Sequence, residues 1–168
     1  MDDLNELFNV VDAEDRVLGQ ATRGEVHAKE LLHRSVHILV FDFEGRLFLQ
    51  ERSAAKDENP GFWDTSAAGH VNAGETYLDC AHRELMEELG LQVNLEPVMK
   101  ITACPETFWE HVAVFSCQTD APITINPDEI KQGRFWTLDE IQKAVRQGDL
   151  PFTSSFKLIL HKYLNRSA

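Results

Sequence analysis

The sequence predicts a mixed α/β fold, a β-sheet covered by helices on both faces. Three observations lead there. Short runs rich in β-branched and aromatic residues alternate with turn residues along most of the chain. Helical spacing is confined to residues 76–89, 138–147 and 153–164. Strands interleaved with few helices pack best as a sheet between helical layers, and 168 residues suit one domain with a substantial core.

Each element has a local reason. Residues 7–11 and 16–21 read as a hairpin around Asp12-Ala13-Glu14-Asp15, and residues 35–43 and 46–51 as a second around Glu44-Gly45. Residues 53–59 form a polar loop, and Pro60-Gly61 turns the chain into Phe62-Trp63. Residues 66–70 lead into a glycine-marked loop, where Gly69 and Gly74 are expected at tight turns. Thr76 is placed to cap a helix ending near Leu89, and Gly90 to close it in the left-handed conformation. Residues 98–103, 109–117 and 134–137 read as strands, and the two remaining helical stretches follow.

Formal net charge is -12, with an ordinary 43% of hydrophobic residues. Such a surface repels polyanions unless cations bridge it, so a nucleic-acid-coating role is not expected and a polyphosphate substrate would need a metal. Cys80, Cys104 and Cys117 lack metal-type spacing and cannot all pair, which suggests a reducing cytoplasm. The acidic start of the chain carries no apolar run of the signal-peptide kind, and no stretch is long enough to span a membrane.

The 76–89 helix is the informative segment. At about 100° per residue, Leu78, Ala81, Leu85 and Leu89 share a stripe, and Glu84, Glu87 and Glu88 share the neighbouring one. Three such acids repel one another. A Glu-rich helix is most often a solvated face. The adjoining Arg83 and bounding glycines favour a site for a hard cation, which takes oxygen ligands and shares them with substrate phosphates.

Residues 69–91 resemble the Nudix box: Gly69, Glu75, Arg83-Glu84, an aliphatic Leu85, Glu87-Glu88, Gly90 and an aliphatic Leu91, each at the family's spacing. The resemblance implies a Nudix-type α/β/α sandwich and extends roughly over residues 33–165. It divides the single domain, 1–168, into an N-terminal hairpin extension (1–32) and a core (33–168). It further implies that Glu84, Glu87 and Glu88 ligate the metal, with the Gly69 carbonyl as another ligand and Glu75 supporting the shell. Arg83 would orient Glu84. The expected cofactor is Mg²⁺, with Mn²⁺ as a substitute. The expected partner is a small nucleoside diphosphate-type substrate, with no nucleic acid and no membrane, and homodimer formation left open.

Other acids are ambiguous by sequence. Glu110 shares a strand face with Val112 and Val114 if alternation holds, either at the wet end of the strand or as a site carboxylate. Asp128-Glu129, after Pro127, is a charged turn or a source of a loop carboxylate. Glu84, Glu110 and Glu129 are thus the candidates for the general base. Trp63, Phe62, Phe108 and Trp109 could stack on a ring, but core packing is the commoner use of such residues.

His27, His33 and His70, with Glu110, resemble in order and rough spacing the metal-binding set of isopentenyl diphosphate isomerases, a branch of the same superfamily. Histidines also have common satisfied roles in cores and turns. Phrases such as Gln50-Glu51-Arg52-Ser53, Lys56 and Pro60-Gly61-Phe62-Trp63 carry the same likeness. That isomerase, however, needs a cysteine directly before the Gly-His pair, and this chain has Ala68 there. The expected activity is therefore Mg²⁺-dependent hydrolysis of a pyrophosphate linkage. The alternatives are the isomerase and a catalytically silent nucleotide-binding module.

Overall fold

A computed structural model describes residues 3–166. The chain opens with an antiparallel hairpin of β1 (Leu7–Val11) and β2 (Val17–Thr22). At its turn the Asp15 carboxylate accepts from Arg34 Nε at 2.6 Å, Lys100 Nζ at 2.7 Å and the Tyr77 hydroxyl at 2.9 Å, which ties the hairpin to the rest of the chain. A short helix α1 (Arg23–Ala28) follows, started by a capping box between Thr22 and Glu25. Six residues are too few to show a helical period, and this helix is not among the expected elements.

The main sheet has seven strands: β3 (His33–Phe41), β4 (Leu47–Arg52), β5 (Trp63–Asp64), β6 (Ala67–His70), β7 (Glu96–Ile101), β8 (Glu110–Gln118) and β9 (Ile130–Trp136). β3 and β8 are parallel and the other pairs antiparallel, so the sheet is mixed, as expected. β8 borders one edge of β3 along its whole length, and β9 borders one edge of β4. On their facing edges, β3 and β4 pair only at Phe41 and Leu47. The expected second hairpin therefore splays into a wedge. β6 lines its β3 side and β5 its β4 side. The Ser66 hydroxyl bridges the wedge, accepting from the Val40 N–H and donating to the Phe48 carbonyl.

Strand β9 is longer than the expected 134–137. Its first half reads as polar because Lys131 and Gln132 reach back to the Glu51 carboxylate on β4 instead of burying apolar surface.

Helix α2 (Tyr77–Leu89) has the expected ends. Thr76 Oγ1 accepts from the Asp79 N–H, and Gly90 is left-handed at φ 65°. Ala81, Leu85 and Leu89 bury against Val36, Ile38, Val40 and Phe48. Leu78 departs from the expected stripe and is 44% exposed, with Cys80 turned inward in its place. Cys80 lies against the end of β6, where its thiol donates to the His70 carbonyl at 3.3 Å.

Helices α3 (Leu138–Gln147) and α4 (Ser154–Leu164) form the other layer. Ile141, Phe156, Ile159 and Leu160 pack there with Leu39, Leu49, Val112, Val114, Trp63 and Trp136. Each such fully buried aliphatic or aromatic side chain stabilises by about 1.5–3 kcal/mol. Alternating residues of β3 thus feed two cores, and the molecule is an α/β/α sandwich.

Gly69 corrects another expectation. It lies within β6, not in a turn, and pairs with Val36.

Candidate active site

The wedge opens into a cleft of about 340 Å³ lined by residues from both layers, among them Arg23, His37, Lys56, His70, Glu84, Glu88, Phe108, Glu110 and Glu129. β6 supplies its floor and α2 its acidic wall. Phe108 sits on the rim at φ 53°, 37% exposed, while Trp63 is buried edge-on to Trp136.

Arg83 organises the acids. Its Nε donates to Glu75 Oε1 at 2.7 Å and its Nη2 to Glu75 Oε2 at 3.0 Å, a bidentate pair. Nη1 donates to Glu84 Oε1 at 2.6 Å and more weakly to Glu87 Oε2 at 3.3 Å. Nη2 also reaches the His70 carbonyl at 3.1 Å, joining α2 to the end of β6. Burial pushes the Glu75 carboxyl up, but the Arg83 fork and the Asn72 N–H outweigh it, and the group titrates below its ordinary value.

Glu84 and Glu88 behave differently. Burial raises Glu84 to about 7 against the opposing pull of Arg83. Burial and then the Glu84 charge hold Glu88 well above the ordinary carboxylate range. Glu88 Oε2 accepts from Gln50 Nε2 at 2.7 Å and more weakly from the Ala68 N–H at 3.4 Å. Glu87 is more open, its side chain 56% exposed. The backbone of Gly69 lies so close to the Glu84 carboxylate that any Cβ there would overlap it. Glycine is required at this point for close approach, not for backbone freedom.

Glu110 enters the cleft at the start of β8. Its Oε1 accepts from His70 Nε2 at 2.9 Å and lies 3.4 Å from His33 Nε2. Glu110 is the ionised partner: burial opposes the charge, but the two imidazoles hold its carboxyl well below the usual range. Burial drives the His70 ring down to about 4. His33 is also penalised by burial, but Glu110 overcomes this and raises it. Ligand atoms of His27, His33 and His70 lie within 4.8 Å of one another.

Of the two acids after Pro127, Glu129 lines the cleft and accepts from Lys56 Nζ at 2.6 Å, while Asp128 is an exposed turn residue. The cleft also holds Arg23, Ser35, His37, Thr153 and Ser155, which the sequence did not single out. They come from distant elements and carry no motif.

A family model for the NUDIX domain matches residues 31–156. An uncharacterized Nudix hydrolase of Pseudomonas aeruginosa is 39% identical over 166 residues, 95% of this chain and 94% of that protein. The isopentenyl-diphosphate Delta-isomerase 2 of Photorhabdus laumondii is 32% identical over 163 residues, 94% of this chain and 92% of that one. A crystal structure from Deinococcus radiodurans superposes with a TM-score of 0.83 at 26% identity, covering 94% of this chain and 99% of that one. With an acidic helix of matching spacing laid over a mixed sheet, and relatives aligned over nearly its full length, this chain belongs to the Nudix hydrolase family.

Proposed function

We propose that the protein is a Mg²⁺-dependent pyrophosphohydrolase. Its substrates are nucleoside diphosphates linked through the pyrophosphate to a second moiety. The observation that carries this reading is the pair of half-buried Glu84 and buried Glu88, two carboxylates pushed upward in one cleft, where the nearby Arg83 gives Glu84 one bond and Glu75 two. Leaving such a pair charged is costly unless a cation joins it.

The donors fit a hard divalent ion. Glu84 and Glu88 offer carboxylate oxygens, and the Gly69 backbone lies against Glu84. We assign Glu84, Glu88, Glu87 and the Gly69 carbonyl as ligands, with Glu75 acting through Arg83. When bound, the ion would neutralise the bridging phosphates and acidify a water. The protein groups do the rest. Arg83 holds Glu84 in one orientation. Glu84 is the general base through the carboxylate oxygen that Arg83 leaves free. Glu110 is a poor base, since two imidazoles beside it hold its carboxyl well below the usual range. Lys56 and Arg52 line the cleft as counter-charges for phosphate oxygens. The three free thiols suit a reducing, cytoplasmic setting.

The test is a panel of nucleoside diphosphate derivatives assayed with Mg²⁺, with Mn²⁺ and with excess chelator. Cleavage at the pyrophosphate should vanish in chelator and return with either ion. Full activity in chelator would sink the carboxylate-site reading.

A further inference from the structure

The histidine cluster has the spacing of a metal site but not the proton arrangement of one. Arg23 reaches it from α1 and is buried, at 6% exposure. Its Nη1 lies 3.0 Å from His70 Nδ1. A guanidinium stays protonated in proteins and can only donate. Nδ1 of His70 is therefore the acceptor, and the ring proton sits on Nε2. That nitrogen lies 2.9 Å from Glu110 Oε1 and donates to it. Both ring nitrogens are thereby used, and His70 has no lone pair left for a cation.

The surroundings hold this arrangement. Phe8 stacks on His70 with ring centroids 4.8 Å apart and on His33 at 5.8 Å, which resists a ring flip. His33 donates from Nδ1 to the Leu31 carbonyl at 2.8 Å, which fixes its ring with Nε2 toward Glu110 and leaves the exclusion of a metal to rest on His70. A divalent ion among these rings would lose one of the three imidazoles and would face the fixed charge of Arg23.

We propose that Arg23 takes the place of a metal in this cluster and, through His70, positions Glu110 as a fixed hydrogen-bond acceptor for the organic part of the substrate. Arg23 is a positioning residue in this scheme. It comes from the segment before residue 31, outside the region that the family pattern covers. The ligand class that suits Glu110 is a hydroxyl or amino donor, such as a ribose or base offers. This last point rests on the hydrolase reading, whereas the exclusion of a metal does not.

Two measurements separate these parts. The first is ¹⁵N NMR of the imidazole nitrogens on the full chain, with and without one equivalent of Zn²⁺. In the wild type, His70 should carry its proton on Nε2, and zinc should leave its signals in place. Arg23→Lys, which keeps a donor, should preserve that tautomer. Arg23→Ala should release it and let zinc move the His27, His33 and His70 signals together. A wild-type His70 protonated on Nδ1, or zinc moving all three histidines in the wild type, would overturn the proposal even if no variant folded.

The second is steady-state kinetics on a cleaved nucleoside diphosphate derivative. Losing the positioning bond should raise KM in Arg23→Met by about tenfold, more than kcat falls, with Arg23→Lys recovering most of it. An equal fall of kcat in both variants with unchanged KM would remove the role assigned to Glu110. Absence of hydrolysis in the wild type would refute the hydrolase reading instead and leave the NMR result standing.

Discussion

The backbone of Gly69 faces the Glu84 carboxylate with no room for a methyl group between them. A strand residue and a helix residue fifteen positions apart in sequence thus share one small volume. Gly69→Ala should displace the Glu84 carboxylate and lower kcat by about 100-fold, the scale of a lost charge-stabilising group. The Tm should change little, because β6 keeps its pairing with β3. Near wild-type turnover in this variant would show that Glu84 can work from another position.

Glu88→Gln and Glu87→Gln should each lower activity at saturating Mg²⁺ by at least about 100-fold. Their effects on the metal-free fold should differ. Glu88 is buried beside Glu84, so removing its charge should hold or raise the Tm. Glu87 is exposed and makes a single weak pair with Arg83, so its loss should shift stability by no more than about 0.5 kcal/mol. Retained turnover in either variant would remove that residue from the ligand set.

The buried acids also set a pH dependence. Glu84 titrates at about 7 in the folded chain, above its ordinary value of 4.5. A raised folded pKa contributes stability that is fully present below the unfolded pKa and is lost as pH rises through the folded one. The metal-free wild type should therefore fall behind Glu84→Gln in Tm between about pH 5 and pH 8. Mg²⁺ should close the gap at the upper end. Parallel Tm curves for the two proteins across this range would contradict the burial argument.

Isomerase chemistry is testable separately. Ala68, on β6, pairs with His37 on β3 and has no titratable group. Cys80 is buried with its thiol on the His70 carbonyl, and burial pushes that thiol strongly upward. Isopentenyl diphosphate in heavy water should give no allylic product and take up no deuterium. Hydrolysis of a nucleoside diphosphate derivative in ¹⁸O-water should put the label on phosphorus. Deuterated, isomerised product at a rate comparable with hydrolysis would mean that another group supplies the missing proton transfer.

What the sequence determined by itself is local. The α2 boundaries follow from Thr76 and Gly90, whose side-chain and backbone chemistry acts within one turn. The acid stripe follows from helical spacing, and the mixed sheet from strands interleaved with few helices. Contacts between distant segments were decided only by the tertiary structure. The sequence placed Gly69 in a turn, since strand glycines and turn glycines look alike until a partner such as Glu84 is known to crowd them. By sequence Glu110 reads sooner as a wet strand end than as a site carboxylate, and the wedge between β3 and β4 puts His70 beside it. Arg23 was not singled out, because a six-residue helix has no readable period and its partner lies 47 residues away. Burial, which separates Glu84 and Glu88 from the open Glu87, depends on what the sheet brings against α2, and no spacing rule along the chain encodes that.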